Sequence, residues 1–88
     1  MEPPVYTVQY AGAARREMRR LSRSQQDRVR AAIDALARVP RPAGCRKLTG
    51  FDDLWRIRVG DYRVVYQIEE GHLVVLIIRV RHRREAYR

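Results

Sequence analysis

The sequence is poor in the residues that build disulfide, zinc and membrane-spanning structures. It contains one cysteine, so no internal disulfide can form and a disulfide-stabilised secreted scaffold is excluded. One cysteine and two histidines, with no Cys/His cluster, argue against a structural zinc site, and no metal or cofactor is expected. The longest apolar run, Leu73–Ile78, is far shorter than the ~20 residues that cross a bilayer. No signal-peptide pattern is present, and we expect a soluble, cytoplasmic protein that forms a single domain over residues 1–88.

Lysine is nearly absent, whereas arginine is abundant. Lys47 is the one lysine among 19 Lys and Arg residues, and only 10 Asp and Glu oppose them, which gives a formal net charge of +9. This charge favours a polyanionic partner such as nucleic acid, a nucleoprotein or an acidic protein. The alternative is that the surplus arginine only keeps the surface soluble. A guanidinium group binds phosphate or carboxylate through a planar fork but hardly exchanges a proton.

The spacing of apolar residues predicts an α+β fold in the order β-α-α-β-β-β, without a linker or a repeat. Val5–Tyr10 alternates as a strand does, and two helices are predicted over Ala11–Leu21 and about Gln25–Val39. Ser24 is the predicted N-cap of the second helix, and Pro40 ends it. The tight connection predicts a helical hairpin that packs on one face of a small, antiparallel-rich sheet.

Three further strands are predicted after a loop that contains Cys45. They cover Leu54–Val59, Tyr62–Glu69 and His72–Val80, with short turns at Gly60-Asp61 and Glu70-Gly71. Residues 83–88 are predicted as a short helix or a tail.

Three arginines are predicted to share the sheet face that lies away from the helices. If a two-residue turn follows Val59, Arg58 faces Arg63, and strand alternation places Arg56 beside Arg58. A longer turn would change the partner of Arg58. Directly opposed like charges are destabilising, so their concentration here favours a function over the alternative of a solvated outer face.

The segment Arg79–Arg88 holds five of the arginines and is expected to begin against the sheet, close to the arginine face. The alternative for a charged run of this kind is a solvated tail. His82 and Tyr87 are the residues near this cluster that can move a proton close to neutral pH. Tyrosine is a poor base by itself, but surrounding guanidinium groups favour tyrosinate. A tyrosine among arginines suits metal-free cleavage of a phosphodiester.

The segments Arg46–Gly50, Leu54–Tyr66 and Val80–Tyr87 together resemble the RelE branch of the RelE/ParE toxin superfamily, whose members belong to bacterial type II toxin–antitoxin pairs. The resemblance extends over nearly the whole chain and includes the order β-α-α-β-β-β. It implies a metal-free endoribonuclease that cuts mRNA in the ribosomal A site and so inhibits translation. The 2′-hydroxyl of the RNA is the implied nucleophile, giving a 2′,3′-cyclic phosphate.

The resemblance also implies roles for individual residues. The family has paired basic residues, often lysines, where this chain has Arg56 and Arg58. Arginine cannot lose a proton as lysine can, so proton transfer is left to Tyr87 or His82. Arg81 stands where relatives often have glycine. The implied catalytic set consists of the paired basic residues Arg56 and Arg58, the phosphate-binding Arg63, the segment His82 and Arg83, and the catalytic tyrosine Tyr87.

A second basic set is predicted to contact RNA or the ribosome. It comprises Arg15, Arg16, Arg19, Arg20, Arg23, Lys47, Arg81 and Arg84.

The resemblance implies several partners. These are a RelB-like antitoxin with an acidic toxin-binding segment, the 70S ribosome with its mRNA, and operator DNA reached only through the antitoxin; a heterotetramer with the antitoxin is one assembly it implies. Two other functions stay open. One is a ParE-type toxin that poisons gyrase, although that branch generally lacks the full basic set and the terminal tyrosine. The other is a non-catalytic ribosome- or RNA-binding relative.

Overall fold

The computed structural model describes residues 5–51 and 53–86, which form five strands and three helices. The strands are β1 (Thr7–Tyr10), β2 (Arg46–Lys47), β3 (Leu54–Val59), β4 (Tyr62–Glu69) and β5 (Val74–His82). The helices are α1 (Gly12–Arg19), α2 (Arg23–Ala35) and α3 (Arg83–Ala86). Of these helices, none is long and apolar enough to cross a membrane.

The strands form one sheet in the order β1-β5-β4-β3-β2. β1 pairs parallel with β5, and the other neighbours are antiparallel. The predicted α+β fold is therefore confirmed, with β1 starting at Thr7 rather than Val5. The sheet gains one strand, β2, from a segment predicted as loop. Its residues Arg46 and Lys47 are both exposed, and cations on an edge strand oppose pairing with another sheet.

The helices α1 and α2 follow each other closely, as predicted, but their boundaries differ from the prediction. Ser22 caps α2, because its side-chain oxygen accepts a hydrogen bond from the backbone N–H of Gln25 at 3.3 Å. The prediction of Ser24 as the cap is wrong, since α2 already begins at Arg23. The helix ends at Ala35, because the N–H of Leu36 bonds to the carbonyl three residues back and tightens the last turn.

The core lies between the helix pair and one face of the sheet. Ala14 and Met18 of α1 are buried there with Val29 and Ile33 of α2. The buried apolar residues of β3, β4 and β5 are Ile57, Val59, Val64, Tyr66, Ile68, Val75, Ile77 and Val80. Because side chains alternate along a strand, the intervening residues of these strands lie on the opposite face. The arginines of the sheet belong to that second face.

The β3–β4 hairpin turns on two residues, as predicted. Val59 lies opposite Tyr62, and Gly60 has a φ of +58°. A first turn residue with positive φ followed by a residue with negative φ is typical of the type II′ turn, which fits the twist of the flanking strands. A side chain at position 60 would be strained by this φ and would also meet the Arg28 guanidinium, whose nearest nitrogen lies 3.1 Å from an ideal Cβ.

The last strand differs from the prediction at both ends. Glu69 lies opposite Val74, so residues 70–73 form a four-residue loop, and β5 begins later than the predicted His72. It also continues to His82, because Tyr62 at the start of β4 provides a partner for this residue. A register shift between Val65 and Tyr66 of β4 marks a bulge within the pairing.

Candidate functional site

Arginines from three strands form a row across the sheet face that lies away from the core. Arg58 on β3 lies opposite Arg63 on β4, and Arg63 lies opposite Arg81 on β5. The register predicted from the two-residue turn is confirmed. Directly opposed side chains share a face at close range. The row therefore concentrates positive charge at one end of the sheet.

A surface cavity of about 350 Å³ opens at the tip of the β3–β4 hairpin. Four guanidinium groups from the sheet and α3 surround it, which suits an anion with several oxygens, such as a phosphate. Its lining consists of Arg58, Gly60, Asp61, Tyr62, Arg63, Arg83 and Arg84.

The first residue of α3 holds the helix against the hairpin. The backbone N–H of Arg83 donates to the carbonyl of Asp61 at 2.7 Å. The Arg83 Nε atom also lies 3.8 Å from Asp61 Oδ1. Both side chains are exposed, so this ion pair adds little stability, and the backbone bond does most to fix the position of α3.

Arg56 does not join this cavity. It shares the face of Arg58, since both belong to the same strand two positions apart, but only 8% of it is exposed. It lies between Arg46 of β2 and Val65 of β4. It lines a separate recess with residues 45–49. The three arginines predicted as one catalytic face are therefore divided between two places.

His82 lies on the other face of the sheet from the arginine row. It is opposite Tyr62, and the two rings meet edge to face with centroids 5.4 Å apart. Its Nδ1 atom accepts a hydrogen bond from the backbone N–H of Arg84 at 3.2 Å, so the neutral ring carries its proton on Nε2. This is the geometry of an N-cap, because α3 begins at Arg83. Together with Glu17, His82 lines a separate cavity of about 190 Å³.

Two tyrosines are unsuited to accept a proton. Burial raises the pKa of Tyr66, whose hydroxyl donates to the carbonyl of Pro40 at 2.7 Å. Burial also raises the pKa of Tyr10, and the nearby carboxylate of Asp34 raises it further. Tyr87, the predicted catalytic tyrosine, lies outside the described residues, and its role stays a prediction.

Comparison with known proteins identifies the family. Residues 8–87 match the model of the ParE toxin of the type II toxin–antitoxin system parDE. The chain belongs to the RelE/ParE superfamily of toxins. Toxin RelG of Mycobacterium tuberculosis is 37% identical over 87 residues, which cover 94% of this chain and 97% of RelG.

Solved structures agree with this membership. The toxin–antitoxin complex RelBE2 of Mycobacterium tuberculosis matches this toxin with a TM-score of 0.78 and 31% identity, covering 89% of this chain and 98% of the matched chain. The archaeal RelE–RelB complex of Pyrococcus horikoshii OT3 matches with a TM-score of 0.79 and 28% identity, covering 90% and 96%. The family predicted from the three sequence segments is therefore confirmed.

The other predicted RNA-contacting residues of the toxin are dispersed. The five predicted arginines of α1, α2 and the turn between them are exposed and lie on the core side of the sheet, away from the arginine row. Lys47 is exposed on β2, Arg84 lines the arginine cavity, and Arg81 lies beside Glu17 with 3.8 Å between Arg81 Nε and Glu17 Oε2. The exposed helical set is Arg15, Arg16, Arg19, Arg20 and Arg23.

Sequence reasoning missed three residues at this site. Tyr62 and Asp61 line the arginine cavity, and Glu17 contacts the end of β5. The turn residues could have been found, because the two-residue turn places both beside Arg58 and Arg63. Nothing in the sequence pattern brings Glu17 to β5, since that contact depends on how α1 docks.

Proposed function

We propose that the toxin is a ribosome-dependent mRNA endonuclease that inhibits translation. The observation that carries this proposal is the cavity lined by Arg58, Arg63, Arg83 and Arg84. A guanidinium group can donate two parallel hydrogen bonds to the oxygens of one phosphate, and it keeps its charge at any physiological pH. The cavity is therefore suited to hold one backbone phosphate of a single-stranded RNA, with the bases free to be read by other contacts.

The RNA supplies the nucleophile in this proposal. The 2′-hydroxyl loses its proton to a base, its oxygen attacks the adjacent phosphorus, and the bond from phosphorus to the 5′-oxygen breaks. The departing 5′-oxygen takes up a proton, so the products are a 2′,3′-cyclic phosphate and a free 5′-hydroxyl. Negative charge grows on the non-bridging oxygens during the attack. Arginines already in place stabilise that charge without reorganisation.

The proton acceptor has to come from outside the arginine set, because a guanidinium group does not deprotonate. We assign this role to Tyr87, which is three residues after Arg84 in the sequence. Because α3 follows directly on β5, Arg83 and Arg84 line the cavity. His82 is a poorer candidate, since its Nδ1 is occupied by the Arg84 N–H and its ring lies on the other face of the sheet. The remaining arginines, on α1 and α2, are proposed to dock against ribosomal RNA.

A RelB-like antitoxin is the proposed protein partner, since two of the similar structures are toxin–antitoxin complexes. A segment that combines acidic and apolar residues would match the arginine row. We further propose that the pair forms a heterotetramer and reaches operator DNA through the antitoxin.

The proposed activity is tested by adding the purified toxin to programmed 70S ribosomes and to the same mRNA free in solution. We expect cuts only on the ribosome, with 5′ ends mapped by primer extension and a cyclic phosphate on the upstream fragment. A parallel reaction with gyrase and supercoiled DNA tests the other branch of the superfamily. Intact mRNA together with trapped gyrase–DNA cleavage complexes would overturn the proposal in favour of gyrase poisoning. Intact mRNA and unaffected gyrase would favour a non-catalytic binding protein.

Replacement of His82 distinguishes two roles of this residue, capping the N-terminus of α3 and transferring a proton. Asparagine places an oxygen close to the position of Nδ1 and is a favoured N-cap residue, whereas glutamine carries its amide one methylene further out. We expect His82→Asn to cleave within about threefold of the wild type, and His82→Gln to lose about tenfold through misplacement of α3. The measurement is the single-turnover rate on programmed ribosomes, with thermal melting as the folding control. Equal and large losses in both variants would contradict the capping role.

A further inference from the structure

The C-terminal end of β5 extends beyond β1, the strand that pairs with one of its two edges. The parallel ladder ends where Tyr10 lies opposite Ile77 and the N–H of Ala11 donates to the carbonyl of Ile77 at 2.8 Å. The chain then turns into α1. Residues 79–82 therefore have β4 on one side and α1, rather than a strand, on the other. A backbone N–H on that side needs an acceptor from α1, because a buried unpaired donor is costly.

The carboxylate of Glu17 is that acceptor. Glu17 Oε1 accepts a hydrogen bond from the N–H of Val80 at 2.8 Å. The same carboxylate accepts from Arg79, with Nε at 3.2 Å from Oε1 and a terminal nitrogen at 2.9 Å from Oε2. Arg81 completes the group, with its Nε 3.8 Å from Oε2. The Glu17 side chain is only 14% exposed, so its charge is weakly screened.

Glu17 also stands out by its position. The segment Arg15–Arg20 is otherwise cationic except for Met18, and Glu17 turns inward to β5 while its basic neighbours are exposed. One carboxylate thus faces two guanidinium groups. Arg81 is directly opposite Arg63, where two cations would repel each other or compete for one anion. The Glu17 carboxylate lies 3.8 Å from Arg81 Nε and so attracts the Arg81 guanidinium toward α1.

We propose that Glu17 is a positioning residue that withholds Arg79 and Arg81 from the RNA, so that the phosphate is held in the arginine cavity alone. This inference rests on the proposed nuclease function and revises the sequence-based prediction that Arg81 binds RNA. Removing the Glu17 charge releases two arginines toward the phosphate. RNA then binds more tightly, but the phosphate is held in the wrong place and cleavage slows.

The test compares Glu17→Gln with Asp27→Asn, an exposed position on α2 that undergoes the same change of charge. On programmed ribosomes, we expect Glu17→Gln to lower the half-saturating ribosome concentration about threefold and the maximal single-turnover rate about tenfold. Asp27→Asn should leave both close to the wild type. A purely structural role of Glu17 would instead weaken binding and catalysis together.

A second measurement is independent of cleavage. Binding of a fluorescent 12-nucleotide RNA is measured at several salt concentrations, with 2′-O-methyl groups throughout so that no 2′-hydroxyl is available to cut it. For Glu17→Gln, the salt slope should steepen by about 0.7 for each released arginine relative to Asp27→Asn. Adding Arg79→Gln and Arg81→Gln to Glu17→Gln should restore the control slope. An unchanged slope in Glu17→Gln overturns the proposal, whether or not the wild type cleaves RNA.

The Arg81→Gln single variant keeps the test decisive if Glu17→Gln does not fold. With Glu17 in place, Arg81 is withheld, so its loss should leave the salt slope unchanged. A shallower slope would mean that Arg81 already contacts RNA, and the proposal would be wrong. Failure of the nuclease function alone appears differently, as absent cleavage by the wild type with the predicted salt slopes intact.

Discussion

The Arg63→Gln variant is expected to cleave ribosome-bound mRNA about 100- to 1,000-fold more slowly than the wild type, which is the usual cost of losing one preorganised donor to a developing oxyanion. Arg63 lies in the middle of the arginine row and lines the cavity. Glutamine keeps a polar amide group but lacks the positive charge and the paired N–H donors of the guanidinium group. The measurement is the single-turnover rate at saturating ribosome concentration, since the loss should appear in the chemical step.

The control for this variant is Arg38→Gln, which removes the same charge from an exposed position just after α2. It should cleave within about twofold of the wild type, because an exposed charge far from the site is largely screened. Arg63→Lys should recover part of the rate, since lysine restores the charge without the bidentate fork. If Arg63→Gln cleaved as fast as the control, the arginine cavity would not be the site of reaction.

The Tyr87→Phe variant is expected to lose about 100- to 10,000-fold in the same assay, the range typical for removal of a general base. The substitution keeps the ring and deletes the hydroxyl group. The reason is chemical: the four arginines of the cavity cannot take the 2′-hydroxyl proton, and the ring of His82 lies on the other sheet face.

Two further tyrosines make the test of Tyr87 specific. Tyr62 lines the arginine cavity, so Tyr62→Phe asks whether its hydroxyl takes the proton instead. Tyr6 packs against the core at the start of the described chain, and Tyr6→Phe serves as the control for hydroxyl loss. We expect both to cleave within about threefold of the wild type. A large loss in Tyr62→Phe with an active Tyr87→Phe would move the proton acceptor to Tyr62.

The part of the site on β3 and β4 could be predicted from the sequence for a simple reason. A two-residue turn fixes the register of both strands, and the register fixes which side chains share a face. Arg58 and Arg63 therefore appear opposite each other in the structure, as expected. The burial of Arg56 could not be predicted in this way. Alternation tells which face a side chain is on, but not which neighbouring segments cover it.

The C-terminal part of the site was harder to predict because its residues are charged. Arg79 to Arg84 have the composition of a solvated tail, yet the first four belong to β5 and the last two to α3. The strand continues because β4 offers partners as far as Tyr62 and because Glu17 supplies an acceptor where β1 has ended. Both partners are distant in sequence, so local pattern does not reveal them. The face of His82 depends on the same strand extension.

The pairing of β1 with β5 has a consequence for synthesis of the protein. Thr7, near the start of the chain, has its partner Val74 close to the end, and β5 is an interior strand that is made last. Contacts so distant in sequence form late. While residues 74–84 are still within the ribosome, β1 has no strand to join and the arginine cavity lacks half of its cations. A chain that ends before residue 74 therefore lacks both the strand that joins β1 to the sheet and half of the arginines that line the cavity.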